Sequence, residues 1–177
     1  MNNPILTKLL RLYLSPIEYA RRIGVKIGEN CLIADTRHWS SEPYLISIGN
    51  DTQITEGVTI HTHGGGKIMR NIYPDFDSFG KVRIGNGVYI GAYSRIMPGV
   101  TIEDNVLVAA GSVVTKSIPS GYVVGGNPAK IICSVSSFIN RNSKFNTRSR
   151  MLDDVQKRPF LLSLPDELFI VKPYMKE

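Results

Sequence analysis

Aliphatic residues recur along the middle of this chain at a fixed interval of six positions. The longest series runs without a gap and contains only Ile and Val: Ile84, Ile90, Ile96, Ile102, Val108 and Val114. The fifth position of each six-residue unit, from Val88 to Ile118, is mostly small or β-branched. Earlier members keep the same step: Ile48, Ile54 and Ile60, and more weakly Ile27 and Ile33.

A period of six matches neither the helical repeat nor the alternation of a simple strand. It fits a coil with three flat faces, each made of one six-residue unit with its aliphatic residue pointing inward. Coils of about 18 residues then stack at the strand spacing of about 4.8 Å, and each coil buries its apolar row only against a neighbour. The pattern predicts an all-β fold, a left-handed parallel β-helix of hexapeptide repeats over residues 23–135.

The register breaks twice. Ile33 and Ile48 are 15 positions apart, and Ile60 and Ile84 are 24 apart with no repeat between them. The second interruption, residues 62–80, is rich in Gly, Pro and Asp, which predicts a loop that protrudes from the coil. Function concentrates in such excursions from a regular scaffold.

The two ends of the chain lack the repeat. Residues 1–22 predict a short N-terminal helical segment, because they have neither the long apolar stretch nor the cleavage site of a signal peptide. Residues 136–177 predict a C-terminal tail. No segment reaches the roughly 18 consecutive apolar residues that a membrane span needs, so no membrane span is expected.

The net charge of +6 changes this picture little, because residues 23–140 carry nine basic and nine acidic side chains. A nucleic-acid groove would need a basic stripe along the folded body, so no nucleic-acid partner is expected. Two lone cysteines, Cys31 and Cys133, favour a reducing, cytoplasmic location over a disulfide framework.

Four segments resemble the hexapeptide-repeat O-acetyltransferases: Ile84-Gly-Asn-Gly-Val-Tyr-Ile-Gly-Ala92, Met97-Pro-Gly-Val-Thr-Ile102, Ala109-Ala-Gly-Ser-Val-Val-Thr-Lys116 and Gly125-Gly-Asn-Pro-Ala-Lys130. Residues 15–28 and 62–65 are most similar to the branch that acetylates capsule and O-antigen polysaccharides. The resemblance covers about residues 15–133.

The resemblance implies a homotrimer with its active sites in the grooves between subunits, each groove binding acetyl-CoA. The main chain at Ala92 and Ala110, one coil apart, would line the pantetheine arm. Thr115 and Lys116 would lie near the adenine and its phosphates, and Lys130 matches a basic position that faces the nucleotide.

Acetyl transfer to a sugar hydroxyl needs a base, and histidine, with an unperturbed pKa of about 6.5, suits that role. His63 begins the protruding loop, where the resemblance locates the catalytic histidine. Its rival, His61, lies two residues earlier and would point the same way, so it would act as the base or bind the acceptor. Asp35 matches an acceptor-binding position.

Other polar residues have less defined roles. His38 precedes Trp39, and packing is the expected role for this pair. Glu56, Asp75 and Asp77 are candidates to orient a histidine, and the sequence does not choose among them. No covalent acyl-enzyme and no metal are expected.

Alternative functions remain open from the sequence. The acceptor would instead be a small molecule such as serine, an amino sugar or an antibiotic. Zinc enzymes resembling the γ-type carbonic anhydrases share the scaffold and bind their metal through three histidines, the number present here. A third alternative is a non-catalytic interaction surface. The sequence does not identify the sugar.

Overall fold

The computed structural model describes residues 13–34 and 39–175. These residues form two compact units, one reaching to Val135 and one beginning at Ser136. The second unit is built of two helices and two 3-10 turns. Within the described residues the helices are α1 (Pro16–Arg22), α2 (Gly66–Met69), α3 (Val135–Asn142) and α4 (Asp154–Leu162), and the 3-10 turns are Pro43–Leu45, Ser143–Phe145 and Asp166–Leu168. No helix within the described ranges has the length and apolar character to cross a bilayer.

The first unit is a solenoid of very short strands. Eleven of them wind through it in sequence: β1 (Lys26–Ile27), β2 (Leu32–Ile33), β3 (Ile46–Ile48), β4 (Gln53–Ile54), β5 (Thr59–Ile60), β6 (Val82–Ile84), β7 (Tyr89–Ile90), β8 (Arg95–Ile96), β9 (Thr101–Ile102), β10 (Leu107–Val108) and β11 (Val113–Val114). Two longer strands, β12 (Tyr122–Gly126) and β13 (Ala129–Ser134), end it as an antiparallel pair.

Three sheets form the faces of the solenoid. Sheet 1 has the order β1-β3-β6-β9, sheet 2 the order β2-β4-β7-β10-β12-β13, and sheet 3 the order β5-β8-β11. All pairs except β12 and β13 are parallel. From β3 to β11, successive strands lie on successive faces, so the predicted parallel strands and three faces are present.

The register explains the breaks in the repeat. Ile84 pairs with Ile102, one regular coil later. Ile33 pairs with Ile54, so the first coil is three residues longer than a regular one. Ile60 pairs with Ile96, so the second coil holds the whole 62–80 excursion and still returns in phase.

The inward aliphatic residues form one continuous core along the axis. Each member from Ile46 to Val114 is at most 5% exposed. The fifth-position residues are buried as well, including Ser94 and Ser112, which fill the corners of the interior. Burying an Ile or Val side chain contributes about 1.5–3 kcal/mol, so the stacked rows supply most of the stabilisation of this unit.

Helix α1 closes the first coil. It begins with a capping box, in which Ser15 Oγ accepts from the Glu18 N–H and the Glu18 carboxylate accepts from the Ser15 N–H. Arg21 donates from Nη2 to the carbonyl oxygens of Ile27 at 3.0 Å and Gly28 at 2.9 Å. Ile27 ends β1, an edge strand of sheet 1, and Gly28 directly follows it, so Arg21 satisfies part of an otherwise open edge.

Polar side chains bridge the coils at the corner between sheets 1 and 2. Asn50 Oδ1 accepts from the Glu29 N–H, Asn86 Oδ1 accepts from the Asn50 N–H, and Asp104 Oδ1 accepts from the Asn86 N–H. The bonds donated by Asn86 to Asp104 lower the pKa of that carboxyl. This ladder of hydrogen bonds fixes the distance between successive coils at this corner.

Gly49 and Gly85, which directly precede Asn50 and Asn86, allow the coils to stack closely. A Cβ placed on Gly49 would lie 2.7 Å from the carbonyl carbon of Gly85 and 2.8 Å from its oxygen, and backbone atoms cannot move aside. The Ile-Gly pairs of the sequence are therefore steric requirements of the coil spacing.

We expect Gly49→Ala to destabilise the protein by about 2 kcal/mol or more, because the new methyl group overlaps the next coil. Gly64→Ala is the matched control, since a Cβ at Gly64 meets no atom within 4 Å. Urea unfolding of both variants checks this. Equal stability of the two variants would contradict the assigned coil spacing.

Candidate active site

The alternation of inward and outward side chains along β5 continues beyond its last residue. It determines where His61 and His63 point. Ile60 is buried, His61 is partly exposed, Thr62 is fully buried and His63 is exposed. The His61 N–H donates to the carbonyl oxygen of Ile96, so this segment is still bonded to β8. Both histidines therefore lie on the outer side of sheet 3, as the period of two predicts.

His63 marks the start of the excursion. It forms an antiparallel bridge with Phe79, and the Gly80 N–H donates to the Thr62 carbonyl oxygen at 2.7 Å. The ring of Phe79 packs edge-on against the imidazole, with centroids 5.9 Å apart and planes at 64°. The loop thus leaves and rejoins the coil at the same point, with His63 at its neck.

The carboxylate of Glu42 contacts the imidazole directly. Nδ1 of His63 lies 2.7 Å from Oε2 of Glu42. The side chain of Glu42 is 17% exposed and that of His63 is 41% exposed. The carboxylate accepts the Nδ1–H of the ring, which leaves Nε2 as the nitrogen with the lone pair. A largely buried carboxylate therefore contacts an imidazole that is open to solvent.

A buried hydroxyl holds the carboxylate in turn. Thr62 Oγ1 donates to the same Oε2 of Glu42 at 2.8 Å and lies 2.7 Å from Oγ of Ser40. Ser40 Oγ also accepts from the Thr62 N–H at 3.2 Å. Ser40 has a φ of +60°, a left-handed conformation that turns the chain toward Glu42. These contacts fix the acid before any substrate arrives.

Glu42 was not among the residues selected from the sequence. It lies 21 residues before His63, which is the length of the first coil as measured from Ile33 to Ile54. Glu42 and His63 therefore occupy equivalent places in stacked coils. The spacing of 21 between the early aliphatic residues is the signal that would have found it.

The acids that the sequence proposed as partners lie elsewhere. Glu56 Oε1 lies 3.4 Å from the hydroxyl of Tyr93, and Asp77 pairs with Arg70 at 3.4 Å. Among the residues described here, neither these two nor Asp75 forms a hydrogen bond with a histidine. The partner of His63 is Glu42 instead. Glu42 is 21 residues away in sequence, but the stacking of the coils brings it next to His63.

His61, Asp35 and His38 were also selected from the sequence. Nε2 of His61 lies 3.2 Å from Oγ1 of Thr59 on the same strand. Asp35 and His38 lie outside the described residues. Trp39 is 3% exposed and packs into the core, as expected. The described ranges contain no group of three side chains able to hold a metal ion.

The two alanines that the resemblance assigns to the donor lie together. The Gly111 N–H donates to the Ala92 carbonyl oxygen at 2.8 Å, so the corners at Ala92 and Ala110 stack directly. Gly91 contacts the backbone of Ala110, and any side chain there would overlap it. The expected stacking on one edge, between sheets 2 and 3, is confirmed.

This edge of small residues continues into the terminal pair of strands. A Cβ on Gly125 would lie 3.0 Å from the Cβ of Ala109, so Gly125 lies over the same corner. Lys130 pairs with Gly125 across β12 and β13 and is exposed. Thr115 and Lys116 follow β11 and are exposed.

The profile described as "Bacterial transferase hexapeptide (six repeats)" matches residues 81–116. The CapG protein of Staphylococcus aureus is 43% identical over 159 residues, which cover 88% of this chain and 92% of CapG. The chain belongs to the hexapeptide-repeat acyltransferases. It is an acyltransferase, like the named enzymes of this family that it resembles.

Two relatives within the family are named for the acceptor side of the reaction. The galactoside O-acetyltransferase of Escherichia coli K12 is 31% identical over 122 residues, covering 68% of this chain and 59% of that protein. WbbJ of the same strain, named as a lipopolysaccharide biosynthesis O-acetyl transferase, is 38% identical over 114 residues, covering 59% and 58%. The chain spans less than two thirds of both.

Solved structures of hexapeptide-repeat acyltransferases agree with the fold. A maltose O-acetyltransferase from Clostridium difficile 630 superposes with a TM-score of 0.59 at 28% identity, covering 73% of this chain and 82% of that one. A galactoside acetyltransferase in complex with coenzyme A superposes with a TM-score of 0.50 at 29% identity, covering 74% and 61%.

We expect His63 to be the Nδ1–H tautomer in the free protein, because Glu42 accepts that proton. Long-range ¹H–¹⁵N spectra of the imidazole rings measure the tautomer. Glu42→Leu should shift His63 toward the Nε2–H form and leave the His61 signals in place. An Nε2–H tautomer of His63 in the wild-type protein would contradict the assigned pair.

Proposed function

We propose that the protein is an acetyl-CoA-dependent O-acetyltransferase that acts on a sugar hydroxyl in surface polysaccharide biosynthesis. The observation that carries this proposal is the Glu42–His63 pair, a supported imidazole at the neck of the excursion on an acyltransferase scaffold. The names of the galactoside, maltose and lipopolysaccharide relatives support a sugar hydroxyl as the acceptor.

The donor is proposed to lie along the edge of small residues. Stacked corners at Ala92 and Ala110 leave room for an extended chain and offer main-chain polar groups to its amides. Thr115 and Lys116 are proposed to meet the adenine and phosphates, and Lys130 supplies a further positive charge for them. The solved structure of a related galactoside acetyltransferase contains coenzyme A, which supports CoA as the carrier of the donor group.

His63 is proposed to act as general base. Nε2 takes the proton of the sugar hydroxyl as its oxygen attacks the carbonyl carbon of the thioester. Main-chain N–H groups near Ala92 would stabilise the tetrahedral oxyanion. The intermediate collapses by breaking the C–S bond, and the imidazolium returns its proton to the CoA thiolate. Glu42 stabilises the imidazolium and keeps the ring in the required tautomer.

Neither cysteine is needed as a nucleophile. Cys31 is buried, and its Sγ donates to the carbonyl oxygen of Gly49 at 3.1 Å. Cys133 lies on β13, away from the neck of the excursion in sequence and fold. Neither forms a disulfide bond within the described residues, and the protein is proposed to be cytoplasmic.

The remaining assignments are proposed on the family resemblance. The coil is proposed to be left-handed, and three copies are proposed to form a trimer with active sites between subunits. Asp35 and His61 are proposed to bind the acceptor. A small-molecule acceptor is the second candidate, since serine acetyltransferase 2 of Arabidopsis thaliana is 41% identical over 109 residues.

A thiol-release assay with acetyl-CoA and a panel of sugars, serine and amino sugars tests the proposal. We expect CoA release with at least one sugar, and His63→Ala to lower kcat by about 10²–10⁴-fold with little change in KM for acetyl-CoA. The double variant with Glu42→Gln should be no slower than His63→Ala alone, because the two residues act as one unit. Unchanged transfer by His63→Ala would refute the role of this base, and if His61→Ala then abolished transfer, the role would pass to His61.

The effect of the Thr62 hydroxyl on catalysis through Glu42 can be separated from its effect on the stability of the protein. Thr62→Val removes the buried donor to Glu42 and should cost about 1–3 kcal/mol of stability and lower kcat about tenfold. Thr52→Val is the matched control: this hydroxyl is 1% exposed, donates to Gly85 and accepts from the Val88 N–H. It should lose similar stability with kcat unchanged. Equal kcat for the two variants would show that Thr62 is only structural.

A further inference from the structure

One corner of the solenoid contains a residue that its backbone geometry does not favour. The equivalent third positions of the three stacked corners between sheets 2 and 3 are Gly57, Tyr93 and Gly111, with φ of +69°, +61° and +71°. Glycine adopts this left-handed conformation without cost, whereas a bulky side chain does not. The geometry of the corner calls for glycine at all three positions, and the middle one is tyrosine.

The corners between sheets 1 and 2 follow the expected rule. Between sheets 1 and 2, the non-glycine residues with positive φ are Asn30, Asp51 and Asn105. Asn and Asp tolerate this conformation because their short polar side chains bond locally. Tyr93 is thus an exception among the described corners of this solenoid.

Contacts within the chain do not offset the backbone strain at Tyr93. The Tyr93 side chain is 65% exposed. Its hydroxyl lies 3.4 Å from Glu56, a long contact between exposed groups. The Tyr93 N–H donates to the Glu56 carbonyl oxygen at 2.9 Å, and any residue would make that main-chain bond. Strained residues persist where function requires their side chain.

The ring is held in a defined place. It lies over Gly57, where a Cβ would collide with the ring carbons. Gly57 belongs to the coil that carries His63, and Tyr93 directly follows Ala92 on the edge of small residues. An exposed, flat aromatic surface is therefore positioned beside the edge proposed for the donor.

We infer that Tyr93 contacts the pantetheine arm of the acyl donor and sets the affinity for it. The inference rests on the proposed function, which assigns that edge to acetyl-CoA. An aromatic ring has only two side-chain torsions, so it offers contact area to an alkyl and amide chain at low entropic cost. Its contact with Gly57 orients the ring before the donor binds.

The test compares CoA affinity with thermal stability in the full-length protein. Tyr93→Asn relieves the backbone strain and removes the ring. We expect its Tm to equal or exceed that of the wild type while the Kd for CoA, measured by isothermal titration, rises about tenfold. Tyr93→Phe keeps the ring and should bind CoA as the wild type does. Asn105→Gly relieves a left-handed corner away from this edge and should leave the Kd unchanged.

Each other outcome contradicts a specific claim. Equal CoA affinity of Tyr93→Asn and the wild type would overturn the inference alone. A change in KM for the sugar acceptor with unchanged CoA affinity would also overturn it, by assigning the ring to the acceptor. If the wild type itself binds no CoA at millimolar concentration, the proposed function and this inference both fail.

Discussion

Each coil of this protein can bury its inward Ile and Val side chains only against the coil above or below it. This requirement fixes the distance between neighbouring coils and therefore the register of all three sheets. Gly28, Gly49 and Gly85 follow from it, because side chains at these positions would overlap the next coil. The hydrogen-bonded ladder through Asn50, Asn86 and Asp104 reinforces the same spacing. Everything outside the coil is positioned by this stack.

The candidate base shows how strongly the stack governs the chemistry. Thr62 points inward because it continues the alternation of β5, so His63 must point outward. Glu42 reaches His63 only because the first coil is 21 residues long and brings the two into stacked positions. A loop inserted into a regular scaffold thus acquires its acid partner from the coil below. The excursion leaves the core undisturbed, since it leaves and rejoins the coil at one point.

The regular half of the molecule was predictable from the sequence because one physical constraint repeats. The six-residue period predicted the three faces, the strands from β6 to β11 and the stacking of Ala92 on Ala110. The irregular half was only partly predictable. Glu42 lies in a stretch without the repeat, and its contact with His63 depends on the 21-residue spacing of the early aliphatic residues, which spans a whole coil and not one six-residue unit. The acids chosen by their nearness in sequence, Glu56, Asp75 and Asp77, lie at other places.

The strained conformation of Tyr93 could not be predicted from the sequence. Its position in the repeat was visible, yet its left-handed φ appears only once the corners are compared in three dimensions. The residues that depart from the regular rules, Ser40 at the acid and Tyr93 at the small-residue edge, lie next to the base and the proposed donor edge. Regular positions build the scaffold, and departures from it mark the chemistry.

A crystal structure of the protein with CoA tests the central claim most directly, namely that the Glu42–His63 pair acts on a donor bound along the edge at Ala92 and Ala110. We expect the pantetheine arm to follow that edge and its sulfur to lie within about 4–5 Å of Nε2 of a His63, from the same or a neighbouring copy. A CoA bound on another face, or a sulfur far from every His63, would contradict it.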